Sequence, residues 1–443
     1  MNTSDVLGKS FECECGRIHT VPTDHLIYRS DAVEHIPRVA GRHALKPDYL
    51  ILADERTYKV AGCFIEQSLE TMGSSVRHCI VADRHGESPV TDDKTVNTII
   101  KQAPDADMYI AAGSGVVNDL TKWIAYQRQK PFLTFATAAS MNGYASANVS
   151  ASIDGLKVLF PSQACKAVFA VPEIIENAPF ELTVSGLGDV IAKTVSSADW
   201  RLNRFLFDDY YCRFSVDLLK DLEPVYLGSP EKIRQRDAEA VQALFAALFY
   251  SGVAMTITGT SAPASGGEHL ISHTIDMTSS VNGQKHDLHG RQVGVGTIFS
   301  AALYERVLEI EEPRFAKIPL EADQGFWGPL IEVVKDQYRK KLPKFEAAAR
   351  TLSHPENWDN LRSIIKDTLL PPHTIKHCLK TAGAAHKISD IRIDNRSIER
   401  ERFLTVVKHA NQMRERFTVL DLSFLLGIMP EQAEDVVEAF LSA

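Results

Sequence analysis

Between residues 25 and 175, short β-rich apolar runs alternate with stretches of helical spacing. Tyr49–Asp54 reads as a strand ending in an acidic residue, with helical spacing over Thr57–Met72. Val76–Asp83 and Thr91–Gln102 repeat that strand and helix. Met108–Ala112 is a third apolar run opening into Gly113-Ser114-Gly115, followed by a helix over Val117–Gln129 and a strand over Phe132–Thr137. Such alternation predicts a parallel sheet covered by helices on both faces. From Glu181 to Ala443 nearly every segment has helical spacing, broken at Pro224, Pro230, Pro313 and Pro371-Pro372. The predicted organisation is an α/β domain over 1–179 and an all-helical domain over 180–443, with a site in the cleft between them.

Composition narrows the class. The chain has 443 residues with 44% hydrophobic and 24% charged, ordinary values for a folded globular protein. A net charge of −9 disfavours non-specific binding to nucleic acid or an anionic membrane. Seven cysteines without a regular framework suit a reducing cytoplasm, and Met1–Arg17 lacks the basic and apolar segments of a secretory signal. The uncharged stretch Ala240–Gly267 carries glycines, a proline and hydroxyls, so it is read as a buried core helix running into a loop. Cys13 and Cys15, with His19 nearby, have the residue types of a second metal site but lack a partner motif, and are read as incidental thiols on an N-terminal strand over Phe11–Val21.

Gly113-Ser114-Gly115 lies between a predicted strand and helix. There the backbone can approach a phosphate, and the helix N-terminus offers unpaired N–H groups. Asn118 and Asp119 fall in the first turn. A right-handed crossover brings Thr137 and Ser140 to the same sheet edge, where their hydroxyls suit a pyrophosphate. The full G-x-G-x-x-G pattern is missing. Asp54 either accepts from an adenosine ribose, which favours NADH over NADPH, or caps the next helix.

The second constellation is Gly186-Leu187-Gly188-Asp189, read as opening a helix that continues through Lys193. It is joined by Glu268-His269, His273, His286 and His289. His269 and His273 share one helical face. One carboxylate with two imidazoles makes an N2O set with open positions for a substrate oxygen, as a divalent metal site requires.

These motifs, with Thr137-Ala138-Ala139-Ser140-Met141 and Gly143-Tyr144-Ala145-Ser146, make the chain resemble the sn-glycerol-1-phosphate dehydrogenases. Those enzymes belong to the superfamily of metal-dependent polyol and iron-containing alcohol dehydrogenases, which also includes the dehydroquinate synthases. The resemblance runs over roughly residues 25–305. It implies a metal (zinc, nickel or iron) held by Asp189, His269 and His289, with His273 as a proton relay or neighbouring group. It also implies NAD(H) or NADP(H) along Gly113–Gly115 and Thr137–Ser140, and a homodimer. Dihydroxyacetone phosphate would further need a cation, for which Lys193 is the first choice and Arg291 the second. One position departs from the pattern: Asn142 stands where the family has aspartate, and an amide cannot act as a base. The alternatives are therefore a dehydrogenase of another polyol or ketone, or a homologue that binds metal and cofactor without turnover. The close Gly143–Ser146 and Ser185–Asp189 matches argue against a dehydroquinate synthase.

Overall fold

In the computed structural model, which describes residues 3–84, 88–153 and 156–442, the chain opens with a small antiparallel ribbon, β1 (Ser10–Glu12) and β2 (Ile18–Thr20). The strands that follow are β3 (His25–Tyr28), β4 (Tyr49–Asp54), β5 (Val76–Val81), β6 (Met108–Gly113), β7 (Phe132–Ala136), β8 (Asn148–Ile153), β9 (Leu156–Pro161) and β10 (Ala167–Ala170). The helices that matter for function are α1 (Asp93–Gln102), α2 (Gly115–Gln127), α3 (Phe180–Val190), α4 (Lys193–Phe207), α5 (Ala238–Thr258), α6 (Gly267–Val281) and α7 (His289–Glu309).

The chain divides into two compact units: Met1–Gly186 with Phe214–Thr260, and Leu187–Arg213 with Ser261–Ala443. This division differs from the single boundary expected at residue 179. The helical segment 214–260 belongs with the α/β unit because its long apolar helix α5 is part of that unit's core. An 18-residue window of α5 is apolar enough to cross a bilayer, yet 83% of it is buried within the protein.

The first unit is built on a six-stranded parallel sheet in the order β3-β10-β7-β6-β4-β5. Every residue of β4, β6, β7 and β10 is buried, as expected for strands covered on both faces. The chain passes from β4 outward to β5, then returns to place β6 on β4's other side. The crevice at the carboxyl ends of β4 and β6 is thus a topological switch point, where open α/β sheets bind ligands. Asp54 ends one of these strands and Gly113 the other. The antiparallel hairpin β8–β9 was not anticipated. Neither was the break that turns the predicted strand Phe11–Val21 into a hairpin.

The second unit is helical apart from a short antiparallel ribbon, Arg392–Ile393 with Arg396–Ser397, which the all-helical expectation did not include. Gly186–Asp189 does not open a helix as expected: it closes α3, whose last residue is Val190. A turn at Ile191 and Ala192 separates it from α4, so Lys193 starts a new helix rather than extending Asp189's. Within Phe424–Met429, Leu425, Leu426, Ile428 and Met429 are buried and Phe424 is half-buried.

Candidate metal centre

Asp189, His269 and His289 come from three different helices of the second unit: the end of α3, the first turn of α6 and the first residue of α7. Glycines allow these backbones to converge. A Cβ at Gly188 would lie 2.1 Å from the carbonyl oxygen of Gly290, and one at Gly296 would lie 2.8 Å from that of Glu268. Any side chain at either place would push the helices apart and separate the candidate ligands.

The donor atoms of Asp189, His269 and His289 all lie within 4.8 Å of one another. Nε2 of His269 is 3.5 Å from Oδ1 of Asp189. That gap is wider than the roughly 2.7–3.2 Å of a good N–H···O bond. It matches two donors turned toward a shared ion, since ligands about 2.0–2.2 Å from zinc in a tetrahedron stand about 3.4 Å apart.

Each imidazole has its other nitrogen committed. Nδ1 of His269 is 2.7 Å from Oε1 of Glu268, so it donates there and leaves the Nε2 lone pair facing Asp189. Nδ1 of His289 lies 3.1 Å from Oγ of Ser272. Ser272 in turn donates to Oε1 of Gln292 at 3.1 Å, and Nε2 of Gln292 donates to Oδ1 of Asp276 at 3.1 Å. This relay assigns the Nδ1–H tautomer to His289 and makes its Nε2 the acceptor nitrogen. Holding metal-ligating histidines by their second nitrogen is the usual way such sites are oriented. The donor set therefore fits a divalent metal.

The electrostatics agree. Burial opposes a charged His269, but the carboxylates of Asp189 and Glu268 outweigh it and raise the imidazole to about 9. A pocket that holds a proton this tightly is a pocket that favours a cation, and a metal would displace that proton. Behind Glu268 lies Asp199, which accepts from the backbone N–H of Gly267 (2.7 Å) and of Val419 (2.7 Å) and from the Tyr304 hydroxyl (2.5 Å). Burial, and then the Glu268 charge, push the Asp199 carboxyl up to about 8.

The remaining predicted residues separate into groups. His273 lies one turn along α6, its ring stacked on His289 with centroids 5.4 Å apart and 5.9 Å from His269. A second cluster, His273 with Asp276 and His289, also has its donor atoms within 4.8 Å. Its carboxylate is already engaged by Gln292 and by Nδ1 of His286 at 3.1 Å. Arg291 donates through Nε to Asp287 at 3.0 Å. Lys193 is the first residue of α4, so its backbone lies at the positive end of a helix, a place that suits a bound anion.

In the first unit, Gly113, Ser114 and Gly115 form the β6–α2 turn, and the N–H of Thr137 donates to the Gly113 carbonyl at 3.2 Å, keeping the two loops adjacent. Ser114 is the N-cap of the 13-residue helix α2 but makes no side-chain cap hydrogen bond. Ser140 Oγ is buried without a hydrogen-bond partner among the described residues. These features suit a pyrophosphate. Asn118 and Asp119 are engaged elsewhere. Asn118 accepts from the Thr134 hydroxyl at 2.8 Å, and Asp119 pairs with Lys122 at 3.0 Å and accepts from the Ser150 N–H at 3.2 Å.

Lys122, which the sequence reading passed over, is fully buried; it donates to Asp119, the carbonyls of Gly143 and Asn148, and Ser146. It thereby pins the loop containing Asn142 to α2. Asp54 caps the short helix after β4, accepting from the N–H groups of Arg56 (2.9 Å) and Thr57 (2.8 Å). Of its two predicted roles, the cap is the one visible in the geometry.

The pattern of the iron-containing alcohol dehydrogenase family matches residues 27–179. Glycerol-1-phosphate dehydrogenase [NAD(P)+] of Halalkalibacterium halodurans is 29% identical over 411 residues, covering 92% of this chain and 94% of that protein. The enzyme of the same name from Thermococcus sibiricus is 32% identical over 304 residues, covering 67% of this chain and 84% of that protein. Among solved structures, an iron-containing alcohol dehydrogenase from Corynebacterium glutamicum has a TM-score of 0.59 at 13% identity, covering 96% of each chain.

Proposed function

Because this chain belongs to the glycerol-1-phosphate dehydrogenase family, we propose that it interconverts dihydroxyacetone phosphate and sn-glycerol 1-phosphate, using NAD(H) or NADP(H) and one divalent metal. The observation that carries the reading is the convergence of Asp189, His269 and His289 with Glu268 and Ser272 fixing both imidazoles.

When bound, the metal supplies Lewis acidity toward a ketone oxygen and the reduced nicotinamide supplies the hydride. The protein does the rest. Glu268 and Ser272 hold the two imidazoles with Nε2 directed at the ion's position, so no reorganisation is needed when charge builds on the substrate oxygen. His273, stacked on His289, is assigned to proton traffic with that oxygen, since an imidazole exchanges protons near neutrality. Lys193 is assigned to the substrate phosphate, aided by its place at a helix N-terminus. The Gly113–Gly115 turn with Thr137 and Ser140 is assigned to the cofactor's pyrophosphate, Asp54 to its adenosine ribose, and Asn142 to hydrogen bonding with the substrate. A homodimer in a reducing cytoplasm completes the reading.

The test is metal analysis of the purified protein together with dihydroxyacetone phosphate reduction, followed by loss of reduced-cofactor absorbance. Asp189→Ala, His269→Ala and His289→Ala are each expected to lose metal and turnover together. Full activity at full metal occupancy in any of them refutes the ligand assignment. Tight metal and cofactor binding without turnover would instead favour the binding homologue that Asn142 motivates.

A further inference from the structure

The N-terminal ribbon is too small to hold itself in place. Its strands have three residues each, and a two-stranded ribbon is at best marginal in water even when longer. Ile18, one of its few apolar residues, is 71% exposed. Yet the ribbon is sharply organised around its two cysteines. The N–H of Cys13 donates to the Arg17 carbonyl at 3.0 Å, and that of Gly16 donates to the Cys13 carbonyl at 2.9 Å. Gly16 adopts φ +80°, a left-handed conformation that favours glycine and lets the chain reverse straight after Cys15. The turn carries Cys13 and Cys15 toward His19 on the returning strand, and their donor atoms lie within 4.8 Å of one another.

We propose that Cys13, Cys15 and His19 bind a zinc ion, separate from the metal at Asp189, His269 and His289, that ties the turn of the N-terminal ribbon to its returning strand. Thiolate and imidazole donors together are a zinc set. Cys15 Sγ stands 3.3 Å from His19 Nε2, close to the roughly 3.5 Å separating a sulfur and a nitrogen on one tetrahedral zinc. The other nitrogen of His19 is already placed for this role. Nδ1 is 2.9 Å from the carbonyl oxygen of Ile257, to which it donates, so the Nε2 lone pair is directed at the thiols. Ile257 lies in the last turn of α5, whose carbonyls lack intrahelical partners. His19 is 1% exposed, so the imidazole is fixed in a protein interior rather than moving in solvent. The ribbon gives three donors, and the fourth corner of the tetrahedron is left to a donor from outside it. The inference is independent of the catalytic reading, because it concerns different residues in the other unit.

The experiment uses the full-length protein. Metal analysis should find one zinc equivalent per chain that survives in His269→Ala and is lost in the Cys13→Ser/Cys15→Ser double variant. Should the double variant fail to fold, the wild-type protein decides. Loaded with Co2+, it should show a thiolate-to-cobalt charge-transfer absorption in the near ultraviolet, and Zn2+ should protect Cys13 and Cys15 from alkylation. No thiolate band, or equal alkylation of both cysteines with and without Zn2+, would overturn the proposal. So would an unchanged zinc content in a folded double variant.

Discussion

Glu268 and His269, neighbours in sequence at the start of α6, are joined side chain to side chain, Oε1 to Nδ1, at 2.7 Å. Consecutive helical residues normally point about 100° apart, so this contact forms only because the helix is in its first turn and Glu268 reaches back toward the N–H of Gly266, also 2.7 Å away. One carboxylate thus caps the helix and orients the imidazole.

Glu268→Gln can keep both contacts through its amide oxygen, because the Gly266 N–H and His269 Nδ1 meet the one atom Oε1. It loses the carboxylate's charge, and with it the strength of the partner that orients His269. Loss of such an orienting partner weakens metal affinity about 10- to 100-fold. A metal titration of the folded variant checks this; unchanged affinity would remove Glu268 from the centre.

Gly188→Ala should cost stability and metal together. The new methyl would sit 2.1 Å from the Gly290 carbonyl oxygen, which is backbone and cannot swing aside. Overpacking of this kind costs about 1–3 kcal/mol, and relief requires α3 to move away from α7, taking Asp189 with it. A lower melting temperature accompanied by reduced metal content is expected. Normal values for both would show that the helices tolerate separation.

Lys193→Ala should raise KM for phosphorylated substrates at least about 10-fold, the scale of one lost charge-assisted hydrogen bond, while leaving unphosphorylated polyols nearly unaffected. Steady-state kinetics on both substrate types measures the difference. Equal effects on the two would discard the phosphate role.

Asp92 supplies a pH-dependent term in the α/β unit. It caps α1, accepting from the Thr95 N–H at 2.8 Å, and is paired with Arg84. Burial works against its charge, but Arg84 and the Thr95 contacts prevail and hold the carboxyl below its ordinary range. A folded-state value below the unfolded one means this stability is complete above the unfolded carboxylate range, near about pH 4, and is lost as pH falls through the folded value. Asp92→Asn keeps a capping side chain but not the charge. The variant should be less stable at pH 7, and the gap to wild type should close on acidification. Melting temperatures at a series of pH values read this directly, and a gap independent of pH would contradict it.

The same residues show how far a sequence can be read. Runs such as Tyr49–Asp54 and Met108–Ala112 are visible because a strand buried on both faces must be continuously apolar. Gly186-Leu187-Gly188-Asp189 stood out as a motif but was given the wrong local role, because a helix end and a helix start both tolerate glycine. Lys122 and Ser272 were passed over: a lysine and a serine in helices look like solvent-facing residues until their burial is known.

What the sequence determined by itself is the α/β pattern of the first half, the helical second half, and the residue types able to ligate a metal. These follow from local periodicity and side-chain chemistry, which are properties of short stretches of chain. Only the tertiary structure decided that segment 214–260 joins the α/β unit, that Glu268 and Ser272 set the imidazole tautomers, and that Cys13, Cys15 and His19 meet. Those facts depend on how closely distant backbones approach, and that distance is fixed by packing across the whole unit rather than by any one segment.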